Sequence, residues 1–253
     1  MNTVTGRRIR LSLPRRLIGD LLHFARQVPT VPVQRRMNLG PLLAARQRSQ
    51  PRPSWAALFT KAFALVARDR KELRRFYVGF PWGHLYEPSL SIATIAVERT
   101  MPDGEDAVFF IQFAAPEVKP LAELDRRLRK AKEAPLSSIG SFRRALLVGR
   151  LPGPLRRLLW WIALNLFPRQ RVRLTGTFGI TAYSSLGASS LHPLTIATAT
   201  LNWGVIDPEG GVDVRLIYDH RVLDGATVAR ALAELETTLN GVMAAELTSP
   251  VAA

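Results

Sequence analysis

The C-terminal third of the chain changes from helical to strand periodicity, and this change limits the possible folds more than any other feature. Three runs, 174–181, 194–202 and 212–218, are rich in β-branched and alternating apolar residues, which is typical of strands. The segment 227–242 follows with apolar residues at helical spacing. The order predicts a sheet that is completed by a final helix, and it excludes a simple helical bundle.

The first half of the chain carries both kinds of pattern. Helical spacing predicts helices over 14–27, 39–46, 54–75 and 121–133. Runs at 89–97 and 107–113 predict a β-hairpin, and the proline-punctuated run 28–33 predicts an edge strand. No internal repeat, low-complexity tract or glycine-serine linker divides the sequence. We therefore predict one α+β domain over 1–253, a mixed sheet with helices packed on one side.

Charge is unevenly distributed along a chain of globular composition. Of 253 residues 47% are hydrophobic, and 35 basic residues against 20 acidic ones give a net charge of +15. Residues 126–175 contain thirteen bases and one acid, whereas residues 204–253 contain eight acids and three arginines. An anionic partner for the basic region would explain this pattern: a phosphorylated cofactor, nucleic acid or an anionic membrane surface. A general preference for arginine explains it equally well, and no motif of a nucleic-acid-binding protein accompanies the charge.

The chain contains no cysteine. Disulfides, thiolate metal sites and a cysteine nucleophile are therefore excluded, and we expect no metal. Basic residues near the N-terminus are followed by Pro14, Arg15 and Arg16 rather than by an apolar run, so no secretory signal is expected. The expected location is cytoplasmic, either free or peripheral to a membrane.

The longest apolar run, 158–167, is half the roughly 20 residues that a membrane-spanning helix needs. Arginines flank it on both sides, and it contains Trp160 and Trp161. Two interpretations remain open: a buried helix, or a helix that contacts the membrane interface.

The residues with the clearest chemistry lie at the junction between the last predicted strand and the final helix, from Tyr218 to Gly225. His220 is the natural general base, because a neutral imidazole accepts a proton near neutral pH. Asp224 lies where it can cap the helix, and Gly225 permits a tight turn. The other histidines, His23, His84 and His192, have no partners at metal-ligand spacing and are interpreted as structural or surface residues.

The run Asp219-His220-Arg221, two further residues, and Asp224-Gly225 resembles the active-site signature of the dihydrolipoyl acyltransferases of 2-oxo acid dehydrogenase complexes, a variant of the signature of chloramphenicol acetyltransferase. Upstream, 176–180 and 184–187 resemble a strand and turn of that family, with 181–183 as about three extra residues. The resemblance implies a chloramphenicol acetyltransferase-like fold. It also implies His220 as general base, Ser184 as hydrogen-bond donor to the oxyanion with Ser185 as the alternative, and Asp224 paired with Arg15.

By the same resemblance the protein is a coenzyme A-dependent acyltransferase that uses acyl-CoA as substrate, with basic side chains holding the CoA phosphates. Its active site would lie between the protomers of a homotrimer. It would be a catalytic domain without a lipoyl domain or a peripheral-subunit-binding domain, so the acceptor would be a lipoyl group on another protein, free dihydrolipoamide or another small molecule. The alternatives are a non-catalytic trimeric scaffold and a membrane-associated acyltransferase-like protein.

Overall fold

A six-stranded mixed sheet runs through the computed structural model, which describes residues 5–248. In spatial order the strands are β1 (Thr30–Asn38), β8 (Gly211–Asp219), β7 (Ala199–Trp203), β6 (Phe178–Ile180), β4 (Ile92–Thr100) and β5 (Asp106–Ala114). β6 is parallel to both of its neighbours, and the other pairs are antiparallel. Two further strands, β2 (Phe76–Val78) and β3 (His84–Tyr86), form a separate hairpin.

The described residues also form nine α-helices. They are α1 (Leu13–Ala25), α2 (Gly40–Arg48), α3 (Trp55–Asp69), α4 (Leu121–Glu133), α5 (Gly140–Gly149), α6 (Gly153–Asn165), α7 (Pro168–Thr175), α8 (Gly225–Thr238) and α9 (Ala244–Thr248). A π-helical turn, Leu239–Met243, joins α8 to α9.

The main core lies between one face of the sheet and the helices α3, α4 and α8. Alternate residues of each strand point to the same face, so every second apolar residue contributes to this core. The largest contact is between Phe59 of α3 and Trp203 of β7, whose rings stack with centroids 4.2 Å apart. The predicted arrangement, a mixed sheet with helices packed on one side, is confirmed.

The opposite face of the sheet is polar, and the segment 182–198 crosses it. Thr200 of β7 donates a hydrogen bond to Thr195 Oγ1 (2.9 Å), and Arg215 of β8 donates to the carbonyl of Ser190 (3.4 Å). Asn202 is fully buried, and its side chain donates to the carbonyl of Thr181 (2.9 Å). These bonds satisfy donors that would otherwise be buried at a cost, whereas Oδ1 of Asn202 has no hydrogen-bond partner among the described residues.

Several predicted elements are confirmed, and others need correction. Strands β4 and β5 form the predicted hairpin, and β1 is the predicted edge strand. Helix α4 has the predicted bounds. The predicted strand 174–181 was wrong in its first part, because α7 continues to Thr175 and ends at Gly176, which has φ +74°. The β2–β3 hairpin was missed, since three-residue strands are too short to show a period.

Helix α6, which contains most of the apolar run 158–167, is buried on one side only. Ala163 and Leu164 are buried, whereas Leu158, Leu159 and Trp161 are exposed. The interpretation of this run as a buried helix is therefore correct for one side of α6 and wrong for the other. Among residues 5–248 no helix is both long enough and apolar enough to cross a membrane.

Candidate active site at the end of strand β8

His220 directly follows β8 and is held by the two strands beside it. The main-chain N–H of Asp219 donates to the carbonyl of Thr198 (2.8 Å), and that of His220 donates to the carbonyl of Pro29 (3.1 Å). The chain then turns, with the N–H groups of Val222 and Leu223 donating to the carbonyl of Asp219. The His220 side chain is 50% exposed. The backbone of the general-base candidate is thus fixed while its imidazole remains accessible.

A buried carboxylate fixes the residues on both sides of His220. The Asp219 side chain, 3% exposed, accepts hydrogen bonds from the Arg221 main-chain N–H (3.0 Å), Nε (2.9 Å) and Nη2 (2.7 Å). The Arg221 guanidinium lies 4.4 Å from the centroid of the Tyr77 ring. Such a charge-assisted pair is stronger than neutral hydrogen bonds, so it restrains the turn that carries the imidazole.

A second arginine, Arg171 of α7, ties the β2–β3 hairpin to this site. Its Nη1 donates to the carbonyl of Tyr77 (2.6 Å), and its guanidinium lies 4.5 Å from the Phe76 ring centroid. Burial, and then the neighbouring charge of Arg221, lower the pKa of Arg171 to about 10, while Asp219 acts in the opposite direction. The sequence analysis missed Arg171 and Tyr77, and no local pattern marks them, because they lie far from the signature in the chain.

Asp224 occupies the N-cap position of α8, as predicted, but its side chain makes no capping hydrogen bond. Its Oδ1 lies 4.0 Å from His220 Nδ1, and the side chain is 85% exposed. The ring of Tyr218 lies 5.5 Å from the His220 ring. Burial, and then the charge of Asp224, raise the pKa of the Tyr218 phenol.

The predicted pairing of Arg15 with Asp224 is wrong. Arg15 Nε lies 3.0 Å from Glu105 Oε1. This carboxylate precedes β5 in the β4–β5 connection, near the start of α1, and the pairing therefore belongs to a different part of the molecule.

Ser184 lies in a single helical turn after β6, Ser184–Leu186, which ends at Gly187 with φ +72°. Ser185 is in the same turn, and its side chain lies outside the described part of the structure. Because β6 and β7 are parallel and β8 is antiparallel to β7, this turn and His220 leave opposite ends of the sheet. The main-chain N–H of Thr181, directly after β6, donates to the carbonyl of Leu201 in β7. Leu201 pairs with Leu216 of β8, which lies four residues before His220. At about 3.4 Å per residue, the four residues from Leu216 to His220 span about 14 Å along the strand.

The other histidines have local contacts. His192 Nε2 lies 2.8 Å from Thr30 Oγ1, and His84 Nδ1 lies 2.9 Å from the carbonyl of Trp82. His23 packs edge-on against the ring of Phe24. These contacts agree with structural or surface roles.

No protein-family model matches the chain, and no curated protein matches its sequence. Solved structures do match it. The dihydrolipoamide acetyltransferase of Azotobacter vinelandii is 18% identical with a TM-score of 0.72, and the alignment covers 95% of this chain and 93% of that one. The cubic core of a pyruvate dehydrogenase multienzyme complex is 16% identical with a TM-score of 0.68, over 95% and 93% of the two chains.

A third neighbour is a truncated catalytic core of the 2-oxoacid dehydrogenase multienzyme complex of Thermoplasma acidophilum. It is 17% identical with a TM-score of 0.63, and the alignment covers 93% of this chain and 99% of that one. All three alignments extend over nearly the full length of both chains. The structural neighbours of this chain are thus catalytic cores of the dihydrolipoamide acetyltransferase type, and it has their fold.

Proposed function

We propose that the protein is a coenzyme A-dependent acyltransferase that moves an acyl group between CoA and a thiol of the dihydrolipoyl type or another small acceptor. The observation that carries this proposal is the accessible imidazole of His220 on a fixed turn, four residues before Asp224. The catalytic mechanism of the Azotobacter vinelandii enzyme involves a serine, a histidine and an asparagine, and that asparagine also lies four residues after the histidine.

In the proposed reaction, neutral His220 takes the proton from the attacking thiol. The thiol sulfur bonds to the carbonyl carbon of the acyl thioester and gives a tetrahedral oxyanion. When the original C–S bond breaks, His220 returns the proton to the departing sulfur. A general base of this kind contributes about 10²- to 10⁴-fold in rate.

The carboxylate of Asp224 lies 4.0 Å from His220 Nδ1, beyond hydrogen-bond distance, and is 85% exposed. We therefore assign it a supporting role and not a proton-transfer role.

We propose Ser184, with Ser185 as the alternative, as hydrogen-bond donor to the oxyanion. Such a donor is worth about 10²- to 10³-fold in rate. The turn that carries Ser184 lies at one end of the sheet, and His220 lies at the opposite end. A complete site therefore requires His220 of one protomer and Ser184 of another, and the assembly that we propose is a homotrimer.

We propose a single acyltransferase domain over 1–253 that works in the cytoplasm. Its acceptor is a lipoyl group on a separate protein or a free small molecule. Basic side chains hold the CoA phosphates, which fits the net charge of +15.

The test is acyl transfer from acetyl-CoA to dihydrolipoamide, measured as thioester formation. The wild type is compared with His220→Ala and with His84→Ala, a matched change of a histidine whose ring nitrogen lies against the carbonyl of Trp82 in the β2–β3 hairpin. We expect a fall of about 10²- to 10⁴-fold for His220→Ala alone. Equal activity of the three proteins would refute the general-base role, and no transfer by the wild type with any donor and acceptor would favour a non-catalytic scaffold.

The position of the site between protomers has its own test. His220→Ala and Ser184→Ala subunits are each assayed alone and after unfolding and refolding together in equal amounts. If the site is shared, random assembly restores up to about one quarter of the sites. No recovery in the mixed trimers would show that the two side chains do not act across an interface.

A further inference from the structure

Helix α6 presents an apolar stripe to the outside of the molecule. Along one side of the helix lie residues at the helical spacing i, i+3, i+4, i+7 and i+11: Leu155, Leu158, Leu159, Ile162 and the C-cap residue Leu166. Four of these five are exposed leucines, and Leu158 is 53% exposed. A helix of a globular protein normally turns such a stripe toward the core. Here the leucines stay exposed within the part of the chain that the structure describes.

The orientation of α6 is fixed by its other side. Arg156 is buried, and its Nε lies 2.5 Å from Oδ2 of Asp20, a buried carboxylate of α1. Leu164 packs in a small core with Phe24 of α1. Rotation of α6 to bury the leucines would bring the charge of Arg156 to the surface and leave that of Asp20 buried without its partner, which is strongly unfavourable. The exposed stripe is therefore a stable feature.

The β2–β3 hairpin extends the apolar surface with aromatic side chains. The ring of Phe80 in the hairpin loop contacts Trp161 of α6, with centroids 5.7 Å apart. Trp82 follows in the same loop and is 76% exposed. We call this the α6 surface, defined by Phe80, Trp82, Leu155, Leu158, Leu159 and Trp161. Tryptophan beside an apolar helix face is typical of proteins that sit at a membrane interface.

The exposed charges of α6 and of the helices before and after it in the chain are of one sign. The sequence has no acidic residue from 134 to 206, the stretch that contains α5, α6 and α7. The exposed arginines of these helices and their connections are Arg143, Arg144, Arg150, Arg157, Arg169 and Arg173. Arg157 lies 3.6 Å from Asp20, and among the described residues no acidic side chain lies within 4.0 Å of the other five. A second copy docked face to face would bring these positive charges together, whereas an anionic surface would complement them.

We propose that the α6 surface docks on an anionic phospholipid bilayer, with α6 lying in the plane of the interface. The leucines and aromatic rings enter the region between headgroups and acyl chains, and the arginines contact the lipid phosphates. This inference does not depend on the acyl transfer reaction, because none of its residues belongs to the His220 site.

The proposal is tested by flotation of the full chain with vesicles of phosphatidylcholine alone and of phosphatidylcholine mixed with phosphatidylglycerol. We expect binding to the anionic vesicles at about 0.1 M salt and a steep loss at about 0.5 M, because salt screens the arginine contacts. The double substitution Leu158→Glu and Leu159→Glu should lower the partition coefficient on the order of tenfold or more. Each neutralised arginine should lower it by about fivefold.

Matched controls distinguish binding by the α6 surface from nonspecific binding to vesicles. Val118→Glu changes another strongly exposed apolar residue, and Arg68→Gln changes an exposed arginine of α3. Both should bind vesicles like the wild type, and thermal unfolding should show that the α6 variants remain folded. No binding to anionic vesicles at low salt would overturn the proposal. The proposal would also be overturned if the leucine substitutions left vesicle binding unchanged and lowered only the mass of self-associated protein in sedimentation. The α6 surface would then contact another copy of the chain.

Discussion

Replacing Asp219 with asparagine tests whether the buried carboxylate holds the His220 turn. Asparagine has nearly the same shape, so Asp219→Asn removes the charge without creating a cavity. Its oxygen can still accept from the main-chain N–H of Arg221, but its NH₂ group faces Arg221 Nη2, and two donors then oppose each other.

The size of the effect follows from the contacts. One charge-assisted hydrogen bond of 2.7 Å is lost and another is weakened, and each is worth about 1.5–3 kcal/mol when fully buried. The Arg221 side chain is one-third exposed, and water therefore compensates part of the loss. We expect the free energy of unfolding to fall by about 2 kcal/mol, which lowers Tm by about 4–8 °C in a domain of this size.

The assay combines thermal unfolding with acyl transfer. Asp219→Asn should remain folded at 25 °C and yet lose about tenfold or more in kcat, because a catalytic group displaced by about 1 Å can cost on the order of 10²-fold. Asp213→Asn, a change on the same strand at a half-exposed carboxylate, should alter stability by less than about 0.5 kcal/mol and leave kcat unchanged.

Unchanged Tm and unchanged kcat in Asp219→Asn would show that the Asp219 carboxylate does not hold the His220 turn. A double substitution, Asp219→Asn with Arg221→Gln, adds a further check. If the pair acts as a unit, the two changes together should cost clearly less than the sum of the single changes. Strict additivity would show that Asp219 acts through some other contact.

Three other predictions concern stability, each measured by denaturant unfolding. Gly176→Ala should cost about 2–4 kcal/mol, because φ is +74° and an added Cβ would collide with Thr94 and lie 2.7 Å from a main-chain carbonyl oxygen; a wild-type midpoint would contradict this. Asp20→Ala should cost about 3–5 kcal/mol by leaving Arg156 buried without its partner, and a loss below about 1 kcal/mol would show that Arg156 rehydrates. Burial alone raises the pKa of Asp125, but two donors outweigh it and lower the pKa, so Asp125→Asn should cost about 1–3 kcal/mol at pH 7. That difference should begin to shrink as the pH falls below about 4, where the carboxylate of the unfolded chain is protonated, and should be lost only below the lowered pKa of the folded protein; a constant difference would exclude the ionic contribution.

Much of the fold could be predicted because it depends on local patterns. Helix α4 has the predicted bounds since its apolar residues recur at a clear helical period over 13 residues. Ser54, the first residue of the predicted helix 54–75, caps α3 by accepting from the N–H of Ala57 (3.3 Å). Strand β6 was predicted too long, because residues with strand propensity at 174 and 175 are helical in α7, where Val172 packs against the β2–β3 hairpin.

The candidate site also contains residues that a local pattern predicts and residues that only tertiary packing brings together. His220, Asp219, Arg221 and Asp224 lie within six consecutive residues, so one strand end and one helix start place them all, and the signature was sufficient to find them. Arg171 lies 50 residues before Arg221, and only the packing of α7 brings its guanidinium to the hairpin beneath the site. Ion-pair partners also depend on distant packing, which is why Arg15 pairs with Glu105 and not with Asp224.

Residues that are close in the chain were sufficient to predict the class of fold, the turn that carries the imidazole, and the apolar run of α6, because each is a local pattern. The direction in which these features face depends on tertiary packing. The strand directions of β6, β7 and β8 separate Ser184 from His220, and the buried contact of Asp20 with Arg156 turns the leucines of α6 outward. Both outcomes arise from contacts between segments that are far apart in sequence, and no local periodicity encodes them.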